Sequence, residues 1–169
     1  MLSLAAAGCG EEKEASEVAQ EARAEQATEK NDLAEGKPAT AEQAAERSKP
    51  KIEVPEGPPP EQLRVEDVIE GAGPEVGAGQ PIAVNYVGVS YSTGEEFDAS
   101  FGRGEPFQFQ LGGGMVIPGW DRGIEGMKVG GRRRLVIPPD LAYGPQGQPP
   151  VIGPNETLIF EIDLLSAQG

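Results

Sequence analysis

The chain has 169 residues, room for one ordinary domain of about 100–150 residues plus an extra segment. Its 28 acidic against 14 basic side chains give a net charge of −14, which repels phosphate and counts against a nucleic-acid partner. With no histidine and a single cysteine, Cys9, the sequence excludes Cys–His and Ser–His–Asp catalysis, structural zinc and an intramolecular disulfide, and no cofactor is expected.

Small residues lead directly into the cysteine in Leu4-Ala-Ala-Ala-Gly-Cys9, with Leu2 just upstream. This stretch resembles the end of a bacterial lipoprotein signal peptide, in which the cysteine becomes the lipidated mature N-terminus. Ala6 stands three before Cys9 where leucine is usual, and residues 1–8 are too short to hold both a basic n-region and an apolar h-region. The reading therefore expects the true start to lie upstream of Met1. It places the protein outside the cytoplasm, tethered to the membrane through Cys9 alone. The alternative is a free thiol in the tail of a cytoplasmic protein. No apolar run approaches the ~20 residues of a membrane-spanning helix.

Residues 10–60 contain no aromatic residue, and within 11–47 Val18 and Leu33 are the only large aliphatics. Good helix propensity without an apolar stripe predicts a solvated linker, disordered or weakly helical, with Pro50–Pro60 as its stiffer end. A helix that docks on a partner is the competing reading. As a leash, the segment would reach about 40 Å.

From Glu61 to Gly169 the pattern changes to short alternating runs punctuated by glycine. Gln62–Glu70, Ile82–Val89, Glu96–Ala99, Phe107–Leu111, Arg132–Ile137 and Thr157–Leu165 read as strands. In the last, Leu158, Phe160, Ile162 and Leu164 share one face. Met115-Val-Ile117 also looks strand-like. One helix is evident: Pro118 suits a first helical position, Trp120, Ile124 and Met127 follow at i, i+4 and i+7, and Gly130 supplies a stop. The fold class is α+β, a curved antiparallel sheet packed on one short helix.

The glycine-rich segments lack the lysine and the following helix of a phosphate loop. Glu95 and Glu96 read as solvated surface, and Arg132–Arg134 as a charged edge strand that discourages aggregation. What remains is the aromatic supply. Tyr86, Phe97, Phe107, Trp120, Tyr143 and Phe160 come from four strand segments, the helix and a loop, enough to fill a core and line a cleft.

Three blocks carry a resemblance: Val84-Asn-Tyr86-Val-Gly88, Glu96-Phe97-Asp98-Ala-Ser100 and Phe107-Gln-Phe109-Gln-Leu-Gly112. They continue into Val116-Ile117-Pro-Gly119-Trp120-Asp-Arg-Gly123, Met127-Lys-Val-Gly130, Ile137-Pro-Pro and Leu141-Ala-Tyr143-Gly144. In this order residues 61–169 resemble an FKBP-type peptidyl-prolyl cis–trans isomerase domain. The resemblance implies five or six antiparallel strands around one short helix.

It also implies a pocket with Trp120 as floor and Tyr86, Phe97, Phe107 and Phe160 as aromatic walls. Val116 and Ile117 would lie beside the proline ring, with the Ile117 N–H binding a substrate carbonyl. Asp98 would be a buried carboxylate near the imide, paired with Arg103, and Tyr143 would offer its hydroxyl. Val151 and Ile152 would come from an overhanging loop. Met115 and Gln148 stand where many members have an acidic residue and a histidine, both at the rim. The loop Gly144–Pro154 has no room for the inserted chaperone domain of some bacterial members.

The implied activity is rotation of Xaa-Pro bonds in partly folded, proline-containing clients by a monomer open to the family's macrolide inhibitors. The alternative is a catalytically weak proline-binding or chaperone module of the same fold. An enzyme without histidine suits this reaction, since crossing the ~18–20 kcal/mol rotational barrier makes and breaks no covalent bond.

Overall fold

The structure, a computed structural model, describes residues 38–169. Cys9 and its signal-like flank, with residues 10–37 of the acidic stretch, lie outside the described residues.

The elements in chain order are α1 (Ala41–Glu46), β1 (Arg64–Ile69), β2 (Pro81–Ser90), β3 (Glu96–Ala99), β4 (Phe107–Gln110), α2 (Pro118–Ile124), β5 (Arg132–Ile137) and β6 (Leu158–Ala167). Every strand pairing is antiparallel. The spatial order is β1-β5-β6-β2-β3, and β4 pairs with the first half of β2. The expected α+β architecture is therefore the fold.

Alternation sorts the side chains as the sequence predicts. Ile82, Val84 and Tyr86 of β2 join Leu135, Ile137, Leu158, Phe160, Ile162 and Leu164 in one core, closed by Trp120, Ile124 and Met127. Gly119 and Gly123 let α2 lie close on β5, because a Cβ at either would run into Ile137 or Leu135. The helix is shorter than expected. Gly126, at φ 76°, ends it before Met127, since only glycine adopts that conformation without strain. Met127 is still buried in the core. Met115-Val-Ile117 is irregular backbone rather than a strand, and the turn before it is tied to α2 by the Gly112 N–H, which donates to Asp121 Oδ1 at 2.8 Å.

Two expectations are corrected. Arg132–Arg134 does not open an edge strand: β5 lies between β1 and β6. Its arginines are satisfied across the sheet. Arg132 bonds Asp163, Arg134 bonds Glu161, and Arg133 donates to Asp67 and to the Gly123 and Glu125 carbonyls at the end of α2. A guanidinium there supplies donors where a helix leaves its carbonyls unpaired.

The second correction concerns the linker. Residues 38–60 belong to the same compact unit as the rest, so the boundary at 61 does not hold. Thr40 and Gln43 form a capping box on α1, and Ala44 is wholly buried. Arg47 donates to Asp163 Oδ1 and to the Gly130 carbonyl, both at 2.8 Å. Its side chain is 6 % exposed and that of Asp163 is 1 %. Further along, Ile52 and Val54 pack with Tyr91, Ala99 and Phe101 on a second cluster, Val87, Val89, Val136 and Ile159. Residues 47–58 thus form a strap over the outer face of the sheet. Both sheet faces are covered, which explains why Glu161 and Asp163, polar in the alternation, are buried.

Candidate active site

The aromatic side chains gather where β2, β3, β4, α2 and β6 meet. Trp120 is 4 % exposed and stands edge-on to Phe160 (5.2 Å between ring centroids), Tyr86 (5.0 Å) and Phe107 (6.1 Å). Phe160 meets Phe97 edge-on at 5.5 Å. Phe109, unassigned by the sequence reading, stacks on Phe107 at 5.4 Å and completes the layer. Edge-to-face pairs set the positive rim of one ring against the negative face of another.

Gly88 makes room for the rings. A Cβ there would lie 2.7 Å from both Phe160 Cε1 and Phe97 Cζ, below any normal contact. Opposite it, β3 carries a bulge. Gly88 pairs with Asp98 and Val89 with Glu96, leaving Phe97 as the extra residue. The bulge brings Phe97 and Asp98, neighbours in sequence, to the same hollow.

That hollow has a volume of about 220 Å³ and is lined by Phe97, Asp98, Tyr143, Gln148, Pro149, Val151 and Ile152. It therefore joins β3 to the loop after β5, as the sequence expects for Phe97, Asp98, Tyr143, Val151 and Ile152. Trp120, Tyr86 and Phe160 form the buried layer rather than this lining. Val116 and Ile117 are half-buried against the same core. Among the described residues no acceptor takes the Ile117 N–H. Met115, 69 % exposed, borders a different hollow of about 240 Å³ with Phe109, Gln108 and Gln168, whereas Gln148 lines the first.

Asp98 is not the buried carboxylate expected; its side chain is 39 % exposed. Both of its oxygens are engaged. The Tyr86 hydroxyl donates to Oδ2 at 2.6 Å, and the Arg103 guanidinium pairs with Oδ1. Arg103 is aimed by the turn after β3, where its N–H donates to the Ser100 carbonyl at 3.0 Å and the Ser100 N–H donates to the Tyr86 carbonyl at 3.0 Å. Burial, and then the bond to the Asp98 carboxylate, push the Tyr86 hydroxyl up to about 12. Burial and the Asp98 charge raise Tyr143 as well. Both phenols are therefore neutral donors near neutral pH. The lining holds no serine, cysteine, lysine or histidine, so the site can bind, orient and dehydrate a group but has no ready nucleophile.

The sequence profile of the FKBP-type peptidyl-prolyl cis-trans isomerase family matches residues 73–165. The chain belongs to the FKBP family of peptidyl-prolyl cis-trans isomerases. An FK506-binding protein of Streptomyces anulatus is 58% identical over 119 residues, covering 70% of this chain and 96% of that one. A probable FK506-binding protein of Corynebacterium glutamicum is 55% identical over 120 residues, 70% of this chain and 98% of its own. Among solved structures, the crystal structure of AtFKBP13 superposes with a TM-score of 0.60 at 40% identity, covering 65% of this chain and 96% of that chain. The strap segment up to Gly57 precedes the part of the FKBP chain that the profile matches.

Proposed function

We propose that this FKBP domain speeds Xaa-Pro rotation by moving the imide from water into the hollow between Phe97 and the Tyr143–Ile152 loop. A planar amide owes its double-bond character to charge separation, which water favours and an apolar enclosure does not. The twisted amide is less polar, so the enclosure lowers its cost relative to the planar form. The Ile117 N–H and the Tyr143 hydroxyl would hold substrate carbonyls, while Asp98, fixed by Tyr86 and Arg103, faces the imide. A thousandfold acceleration asks for about 4 kcal/mol of differential binding.

The observation that carries this reading is the chemistry of the lining. It is apolar apart from Asp98, Tyr143 and Gln148, and it lacks a nucleophile. The clients are proline-containing segments of partly folded proteins. The relatives' names support a second ligand, since a macrolide of the FK506 type would compete for the same hollow.

For location, Leu4–Cys9 supports a lipid tether that places the domain at an extracytoplasmic membrane face. Radiolabelled fatty acid that follows Cys9, and disappears in Cys9→Ala, is the expected outcome; label that fails to follow Cys9 removes the tether.

The test of activity is cis-to-trans exchange of an apolar-Xaa-Pro peptide, followed by NMR. The full chain should accelerate exchange, and FK506 should abolish the acceleration. Saturable peptide binding at the uncatalysed rate would replace the enzyme by a proline-binding module.

A further inference from the structure

β3 is a short strand held on its inner side by the packing of Phe97 on Phe160 and the bonds of Asp98 to Tyr86 and Arg103. It has four residues, pairs with β2 at three positions, and is broken by the bulge at Phe97. Strand pairing this brief does not fix a side chain to the tolerance that catalysis needs. Yet β3 supplies both Phe97 and Asp98 to the hollow. The outer side of β3 carries a second restraint.

The strap supplies that restraint. Lys49 Nζ bonds Glu96 Oε1 at 2.7 Å, at the start of β3. Ile52 and Val54 pack on the cluster of Val87, Val89, Val136 and Ile159, the same cluster on which Ala99, at the end of β3, and Phe101, just beyond it, also pack. Val54 Cγ2 lies 3.5 Å from where a Cβ on Gly94 would stand, in the turn that leads into β3. The Tyr91 hydroxyl, from the other arm of the hairpin, lies 3.3 Å from the Pro55 carbonyl and 3.4 Å from those of Gly57 and Pro58. The start of β3 and the turn before it each meet the strap, and the end of β3 packs on the same cluster as the strap. Arg47, buried on Asp163, anchors the strap's near end to β6. The Lys49–Glu96 pair is exposed and adds little by itself; Ile52 and Val54 carry the restraint.

We infer that Ile52 and Val54 are positioning residues of the isomerase, acting through β3 to hold Phe97 and Asp98 against the hollow. This rests on the isomerase reading, and the experiment separates the two. In the full chain, Ile52→Ser combined with Val54→Ser removes the apolar grip. Ile52→Ala alone is a milder variant, available if the double variant does not fold. Ile52→Val combined with Val54→Ile is the conservative rescue. Val76→Ala, a core truncation on the loop before β2, serves as a control for loss of stability elsewhere.

The strap variants should lose about tenfold in kcat/KM at temperatures where they are fully folded. Amide exchange should quicken in Glu96–Ala99 but not in Arg132–Ile137, and the conservative pair should restore both readings. Strap variants that lose no more kcat/KM than Val76→Ala at an equal fall in Tm would overturn the inference. An inactive wild-type chain would instead refute the isomerase reading, and quickened exchange confined to Glu96–Ala99 would still identify the strap as the restraint on β3.

Discussion

Tyr86 links the core to the chemistry of the cleft. Its hydroxyl is held up to about 12 by burial and by Asp98, so the folded state keeps a proton that the unfolded chain sheds near 10. The stabilisation is complete below about pH 10 and is lost as pH rises through about 12. Thermal midpoints should therefore fall more steeply over that range in the wild type than in Tyr86→Phe, which has no proton to lose. Parallel slopes would show that Tyr86 is not the group responsible. Gly88 gives the second prediction at this scale. Gly88→Ala places a methyl 2.7 Å from two ring atoms, so Phe97 and Phe160 must shift, at a cost of about 1–3 kcal/mol. Both a lower Tm and a lower kcat/KM are expected from peptide exchange and thermal melts.

Among the elements, β5 separates useful charges from decorative ones. Arg133 is buried and serves the last carbonyls of α2, while its carboxylate partner Asp67 is half exposed. Arg133→Met leaves Asp67 to water but strands the helix carbonyls, so a loss of about 1–3 kcal/mol is expected by chemical denaturation. Lys128→Ala, just before β5, breaks only an exposed pair with Glu70 and should leave the denaturation midpoint nearly unchanged. Equal losses would refute this ranking. Period-two alternation made β2, β4 and β6 legible from the sequence, because apolar residues facing one core repeat at every second position. Three arginines in a row, by contrast, do not name their partners. Asp67, Glu161 and Asp163 lie far away in the chain and meet β5 only through pairing. The bulge at Phe97 was equally hidden, since it exists only relative to Gly88 and Val89 on the facing strand.

For the whole molecule, the strap is the part least legible in the sequence. Its apolar pair, Ile52 and Val54, is too short among prolines to register as periodicity, although Thr40 followed by Gln43 is a capping signature that pointed to α1. The aromatic blocks of the cleft were readable, because the residues that meet there are spaced as the resemblance requires; the depth of Trp120 and the half exposure of Asp98 depend on packing that no spacing records. Charge also acts at this scale. A net charge of −14 should draw in basic clients, so kcat/KM for a lysine-flanked Xaa-Pro peptide should exceed that for a glutamate-flanked one at low salt. The ratio should approach one near ~1 M salt, where the screening length falls to about 3 Å. A ratio indifferent to salt would mean that local contacts govern the preference.

Trp120 is the only indole in the chain, and among the described residues its Nε1 has no hydrogen-bond partner. Its emission should serve as a native optical gauge, blue while the ring layer is dry and shifting when water enters that layer or an occupant of the neighbouring hollow disturbs it. Titrations of unlabelled peptides can therefore be followed in the unmodified protein, and strap variants can be compared for leakage before any turnover is measured.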